Sequence, residues 1–386
     1  MERRQLLQIP GPTNIPDRIL RSLSQPLINH RGPEFEALLS TCVTGLKKVF
    51  RTENDILIFP SSGSGILESA IVNLFSPGDT ILAVCLGVFS DRMAEIGEKH
   101  GLNVIRLTKE WGEAAKVKEI EALLVQDKEK KIKAVCLPQN ETTSAIANDV
   151  EGIALMIKKL GHPAILVVDA ISSLACVPLE TDKWGIDVVV SASQKGLMLP
   201  PGIGVVALSP RAWEMTEKST MARWYWDYHA VKEKMAAHQF PYTPSTSLLF
   251  GLKEALAIIE EEGLEQVWQR HHLIGCGVRN AAIAMGLELF SEAEYASDTV
   301  SAIKMPGNIS YKEFAGLLRT KYGIVIGGGL QKIQGKIFRV GHMGSFHFMD
   351  AYTVMGGIEM ALYELGYGVE LGTAAAALGK TVLECS

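Results

Sequence analysis

Lys195 stands in Ser191-Ala-Ser-Gln-Lys-Gly196, directly after the apolar run Val188-Val-Val190. Asp169 closes a second apolar run, Ala164-Ile-Leu-Val-Val168, 26 positions earlier. Short runs that are apolar throughout read as strands buried on both faces. An acid and a lysine, each at the end of such a strand, are the two groups that pyridoxal phosphate (PLP) needs. The amine holds that cofactor as a Schiff base, and the acid keeps its pyridine nitrogen protonated. Small neighbours and apolar strands desolvate the lysine, which draws its pKa down toward that of a nucleophilic amine. Taken singly, each residue has a plainer use. Asp169 could cap a turn, and Lys195 could be an ordinary surface lysine.

Other candidates sit at similar junctions. Ser61-Ser-Gly-Ser-Gly65 follows a strand and opens a helix, where backbone amides face an anion. A dinucleotide site would need an acid at the end of the next strand. That strand ends Ala83-Val-Cys-Leu-Gly87, with no acid, and no Gly-Lys-Ser/Thr is present for a P-loop. A nicotinamide-dependent dehydrogenase therefore lacks its ribose acid, and a simple phosphate fits better. Phe89 follows a strand and precedes a helix; it could stack on a planar cofactor or fill the core. Asn140-Glu-Thr-Thr143 follows the strand Ala134–Leu137, and its hydroxyls could reach a ring substituent or cap a turn. Arg339, in Lys336-Ile-Phe-Arg-Val-Gly-His342, is flanked by apolar residues and needs an anion, either a substrate carboxylate or an internal acid. Arg31 precedes a helix and has the same two uses. His271-His272 lacks partners at metal spacing and reads as a solvated helix face, so no metal site is expected.

The elements that must position these groups follow from pattern. Prolines at 10, 12 and 16 exclude regular helix from the first stretch, which reads as an extended arm. From about Asp55, apolar runs alternate with amphipathic ones. The strands are Ile56–Phe59, Thr80–Val84, Val104–Leu107, Ala134–Leu137, the two runs above and Gly204–Leu208. The helices between them are Gly65–Leu74, Asp91–His100 and Gly152–Leu160. This pattern predicts a mostly parallel sheet covered on both faces, with ligands at the carboxyl ends of its strands. After Tyr242-Thr-Pro-Ser245 a helix runs from Leu248 to Glu262 and stops at Gly263, and a second reaches Met285. Strands Thr299–Met305 and Lys336–Gly341 then alternate with helices Tyr311–Tyr322 and Met349–Leu365, a smaller α/β unit. The end, from Gly372, carries little pattern.

The composition is that of a globular enzyme: 386 residues, 47% hydrophobic, 21% charged, net charge −5. The length suits two domains. Interspersed charge with no basic face speaks against nucleic acid as a partner. The first residues show no secretory pattern, and no window holds eighteen uninterrupted apolar residues, so a membrane span is not expected. The six cysteines show no CxxC spacing and read as buried thiols in a reducing, cytoplasmic setting.

Seven segments in order resemble the class V aminotransferases, in particular the alanine–glyoxylate and serine–glyoxylate branch. They are Pro10-Gly-Pro-Thr-Asn14, Ser62-Gly-Ser64, Asn140-Glu-Thr-Thr143, Val168-Asp-Ala-Ile-Ser-Ser173, Ser193-Gln-Lys195, Pro241-Tyr-Thr-Pro-Ser245 and Gly335-Lys-Ile-Phe-Arg-Val-Gly-His342. The resemblance implies a fold-type I PLP-dependent transferase with an arm (1–20), a large domain (21–262) built on a mostly parallel seven-stranded sheet, and a smaller C-terminal α/β domain (263–386). It implies a homodimer with active sites at the interface. Lys195 would carry the Schiff base and Asp169 would meet the pyridine nitrogen. Phe89 and Ile171 would pack the two ring faces, with Thr142 at the ring edge. Ser62, Gly63, Ser64 and Gln194 would surround the phosphate, joined by Tyr242 and Thr243 of the other subunit. Arg339 would clamp the substrate carboxylate, and His30 and Arg31 of the other subunit would border its pocket. Position 64 is serine where some members have histidine or threonine, and His30 stands where the plant-like branch has tyrosine. The implied activity is transfer of an amino group from a small amino acid, serine or alanine, to glyoxylate or another small 2-oxo acid. A different donor such as aspartate, or a lyase of the cysteine-desulfurase type on the same fold, are the alternatives.

Overall fold

The computed structural model describes residues 5–385. The chain opens with strand β1 (Leu6–Gln8) and helix α1 (Asp17–Leu23), then the long helix α2 (Pro33–Phe50). Strand and helix next alternate as β2 (Asp55–Ser61), α3 (Gly63–Leu74), β3 (Thr80–Cys85), α4 (Val88–Lys99), β4 (Asn103–Thr108), α5 (Val117–Gln126) and β5 (Ile132–Pro138). A hairpin of β6 (Asn140–Glu141) and β7 (Ile146–Ala147) leads to α6 (Val150–Leu160), β8 (Ile165–Asp169), the single turn α7 (Thr181–Trp184), β9 (Val188–Ala192) and β10 (Gly202–Leu208).

Seven of these strands form one sheet in the order β2-β10-β9-β8-β5-β3-β4. β10 runs antiparallel to both its neighbours, and the other pairings are parallel. The sheet is mostly parallel, as the alternating pattern predicts. Successive side chains point to opposite faces. Ile56 and Ile58 therefore enter one core with Phe35, Leu39 and Leu252, and Leu57 and Phe59 enter the other with Ile66 and Ile71. Every residue of β8 and β9 is buried. Helices cover both faces, which is why these strands are apolar throughout rather than alternating.

The chain continues through α8 (Pro210–Lys218), α9 (Tyr228–Ala236) and α10 (Thr246–Glu262) to Gly263, then α11 (Leu264–Ala284). A second sheet is built from β11 (Val300–Lys304), β12 (Ile324–Gly328) and β13 (Ile337–Gly341), with α12 (Tyr311–Leu317) between the first two. Helices α13 (Phe348–Glu364) and α14 (Thr373–Cys385) close it; the low-pattern end is thus a helix, packed on α11 through Leu378 and Val278. The fourth strand of this sheet is β1, paired in parallel with β12 from Leu6↔Ile324 to Gln8↔Ile326. The amino-terminal arm is thus more than extended chain: it completes a sheet more than three hundred residues away. The residues from Asp17 to 20 begin a helix. No helix among the described residues is long and apolar enough to cross a membrane.

Candidate active site

β8 and β9 lie side by side in parallel, with Asp169 opposite Val190, so the carboxyl ends of both strands emerge on the same side of the large sheet. Asp169 ends β8, and Lys195 occupies the turn just beyond β9. A cavity of about 300 Å³ opens there. Nine predicted positions line it: Ser62, Gly63, Ser64, Phe89, Thr142, Asp169, Ile171, Gln194 and Lys195. Gly11 and Pro12 close one side. Gly11 has φ +102°, and a Cβ there would stand 2.6 Å from the Lys195 Cδ and Nζ atoms, so only glycine lets the arm pass this close to the lysine. The Lys195 amine donates to the Pro10 carbonyl, and the Thr13 hydroxyl donates to the Lys195 carbonyl at 3.2 Å.

Burial sets the charge state of both key groups. It is the largest influence on Lys195, reinforced by the Arg339 guanidinium, and the amine falls to about 8 despite the opposing pull of Asp169 and Glu141. Burial also pushes Asp169 up to about 7, against the Ile171 N–H that donates to its Oδ1 at 2.8 Å. The result is a nucleophilic amine near neutrality and a carboxyl whose burial outweighs the pull of Lys195 and Arg92.

Arg339 projects from β13. Its Nε donates to the Gly328 carbonyl at 2.9 Å and its Nη1 to the Thr142 carbonyl at 2.8 Å. No acid pairs with it among the described residues, so the internal salt bridge is not what holds it. Burial lowers its pKa. Nη2 makes no hydrogen bond among the described residues.

Five predicted residues, Arg339 among them, do not line this cavity. Tyr242 stacks on Tyr225 with ring centroids 4.5 Å apart, and Thr243 beside it is exposed. His30 is half-buried, and Arg31 is exposed with its N–H on Asn29 Oδ1 at 3.1 Å.

Two lining or supporting charges escaped the sequence reading. Arg92 lines the cavity one helical turn beyond Phe89. Its only local signal is the i, i+3 spacing. Glu141 is fully buried in the segment whose hydroxyls drew notice. Its Oε2 accepts from the Phe89 and Ser90 amides at 3.1 and 2.8 Å, and its Oε1 from the Thr143 amide at 2.8 Å. α4 begins at Gly87 without a side-chain cap of its own, and Glu141 supplies one from across the fold.

One sequence expectation fails. His271 is not on a solvated face: it is buried, its Nδ1 on the Val267 carbonyl and its Nε2 accepting from Gly344 N–H. His272 is exposed and forms a cluster with Cys276 and Asp298. The Arg279 guanidinium lies 3.3 Å from the Cys276 sulfur and 3.1 Å from Asp298 Oδ1, so a cation of the chain's own already occupies that cluster.

The cavity suits PLP. Ser62 caps α3, accepting from the Gly65 N–H at 3.3 Å, so the first amides of a twelve-residue helix face inward. A Cβ on Gly63 would meet Ile171 Cδ1 at 3.0 Å, and glycine keeps that approach open. Gln194 Oε1 and Asn140 Oδ1 are buried with no hydrogen-bond partner among the described residues, polar atoms of the kind a polar ligand satisfies. An amine, a ring-facing acid and an anion cradle are the three groups the cofactor requires.

Residues 10–344 match the family model described as aminotransferase class-V. The serine–glyoxylate aminotransferase of Methylorubrum extorquens is 38% identical over 388 residues, covering 99% of this chain and 96% of its own. The L-aspartate–glyoxylate aminotransferase of Paracoccus denitrificans is 38% identical over 371 residues, covering 96% and 94%. The crystal structure of pyridoxamine–pyruvate aminotransferase from Mesorhizobium loti has a TM-score of 0.93 at 25% identity, covering 100% of this chain and 98% of that one. The chain therefore belongs to the class V aminotransferases, and is a PLP-dependent enzyme of fold type I.

Proposed function

We propose that this aminotransferase moves an amino group from serine or alanine to glyoxylate or another small 2-oxo acid. One observation carries the reading: a buried lysine amine at about 8 shares a cavity with Asp169, and Arg339 stands behind its Thr142 wall. When bound, PLP supplies an electron sink for negative charge on the substrate α-carbon. Asp169 Oδ1 is fixed by the Ile171 amide, which leaves Oδ2 for the ring nitrogen. Phe89 and Ile171 would bracket the ring, with Thr142 at its edge. Ser62, Gly63, Ser64 and Gln194 would hold the phosphate. Arg339 Nη2 would orient the substrate carboxylate. Lys195 Nζ, neutral in a large fraction near pH 8, takes the proton from the donor α-carbon and later returns a proton to the product.

We further propose a homodimer, in which His30, Arg31, Tyr242 and Thr243 act in the partner's site rather than their own. Their position outside the chain's own cavity supports this. The boundary between a large part (21–262) and a small part (263–386) is placed at Gly263, between α10 and α11. A cytoplasmic setting is proposed from the buried thiols of Cys42, Cys85, Cys136 and Cys176, none in a disulfide.

Aspartate is the second donor reading, favoured by the Paracoccus relative's 38% identity. The desulfurase reading is set aside, because no cysteine among the described residues lines the cavity. A donor–acceptor screen tests the proposal. Glycine should form from glyoxylate with serine or alanine, and Lys195→Ala should slow this by at least about 10³-fold. Undiminished turnover in that variant, or glyoxylate left untouched with every small donor, would refute it.

A further inference from the structure

Arg92 projects from α4 one turn after Phe89, so the two side chains share a face. Its guanidinium carbon lies over the Phe89 ring, 5.2 Å from the centroid. Its Nη1 donates at 2.9 Å to the Ser64 hydroxyl, in the first turn of α3. Among the described residues that line the cavity, the cationic side chains are Arg92 and Lys195. The Lys195 amine is held at the other side, by the Pro10 carbonyl. Arg92 has no ion pair with an acid among the described residues. A half-buried guanidinium with one nitrogen on a neutral hydroxyl, and no carboxylate beside it, is short of an anion.

The position says which anion. Ser64 and Gly63 begin α3, whose first-turn amides and helix dipole already favour negative charge. A phosphate held there would have backbone donors of α3 and the Arg92 guanidinium within its surroundings. Asp169 is the acid of the cavity, and a ring cation is its natural partner, which leaves Arg92 for the opposite pole of the cofactor. A guanidinium suits a phosphate better than an ammonium does, because its planar donors can take two oxygens at once.

We propose that Arg92 is the side-chain cation of the phosphate subsite, and that it makes this enzyme select PLP over unphosphorylated pyridoxal. The inference rests on the PLP reading above. Arg92 also braces the stacking ring of Phe89, so a purely structural role must be separated from a charge role.

The test uses full-length enzyme stripped of cofactor, titrated with PLP and with pyridoxal. The absorbance of the Lys195-bound aldehyde is the readout, and thermal melting checks that each variant folds. Arg92→Met should weaken PLP binding about tenfold or more, the size of one charge-assisted bond. Its affinity for pyridoxal should change far less, so the PLP-to-pyridoxal preference collapses. Arg92→Lys should recover part of that preference. Inorganic phosphate should slow PLP capture by the unaltered enzyme and not by Arg92→Met. If both aldehydes lose affinity in parallel, Arg92 only braces the wall and the proposal falls. If the preference is unchanged, it falls as well. If the unaltered enzyme captures neither aldehyde, the PLP reading itself fails, which is a different result.

Discussion

Asp169 carries a folding cost set by its enclosure. Its carboxyl titrates near 7 in the folded chain against 3.8 for the ordinary group, because it is fully enclosed. Between those values the folded state keeps a proton that the unfolded state has released. Stability therefore falls as pH rises from about 4 to about 7, and the full cost persists above that. Three pKa units correspond to roughly 4 kcal/mol. Asp169→Asn keeps the shape and removes the charge. In the cofactor-free protein it should melt several degrees higher than the unaltered chain at pH 8, and about equally at pH 4. With cofactor the order should reverse, because the cationic ring nitrogen loses its counter-charge. Melting curves at the two pH values, with and without PLP, check both signs. A cofactor-free variant less stable at pH 8 would mean that the carboxylate has another cation in the fold.

At the level of elements, the site depends on how α4 is anchored. The helix carries Phe89 and Arg92, yet glycine at its cap position offers no side chain. Glu141, from the β6 strand, takes the amides of Phe89, Ser90 and Thr143 and so ties the helix to the hairpin that carries Thr142. A carboxylate at a helix amino terminus also meets the favourable end of the dipole. Gly87 permits the approach: a Cβ there would stand 2.5 Å from the Glu141 carboxyl carbon. Glu141→Ala strands two buried amides and a part-buried one and should cost about 3 kcal/mol in urea denaturation of the cofactor-free protein. A loss below about 1 kcal/mol would show that water replaces the carboxylate and that α4 does not rely on it.

For the whole molecule, the arm is one of the links between the two sheets at the site, beside the Arg339–Thr142 bond. β1 is a strand of the second sheet, and a few residues later Pro10 and Gly11 lie on Lys195 of the first. Thr13 N–H donates to the Gln194 carbonyl at 3.2 Å, extending the seam. The proposed dimer adds a second chain to this arrangement and gives a direct test. Lys195→Ala and Thr243→Ala subunits should each be impaired alone. Mixed by unfolding and refolding together, half of the dimers are hybrids, and each hybrid holds one site with both residues intact. Activity should return to about a quarter of the unaltered level. No recovery would place Thr243 in its own subunit's site.

The sequence by itself determined the strand–helix alternation, the mostly parallel sheet and the lysine–acid pair, because burial on both faces writes an unbroken apolar run into each strand. It also marked Phe89, Arg339 and the Ser62-Gly-Ser64 turn, since each sits at a strand end or helix start that local pattern reveals. Only the tertiary structure decided what Arg92, Glu141 and Gly11 do. Arg92 meets Ser64 across 28 positions, Glu141 caps a helix 51 and 52 positions away, and Lys195 meets Pro10 across 185. His271 was misread for the same reason: its helical neighbours are polar, and the Gly344 amide that buries it lies 73 positions on. Periodicity records which face of an element is covered, but not which distant group covers it; that depends on the path of the whole chain.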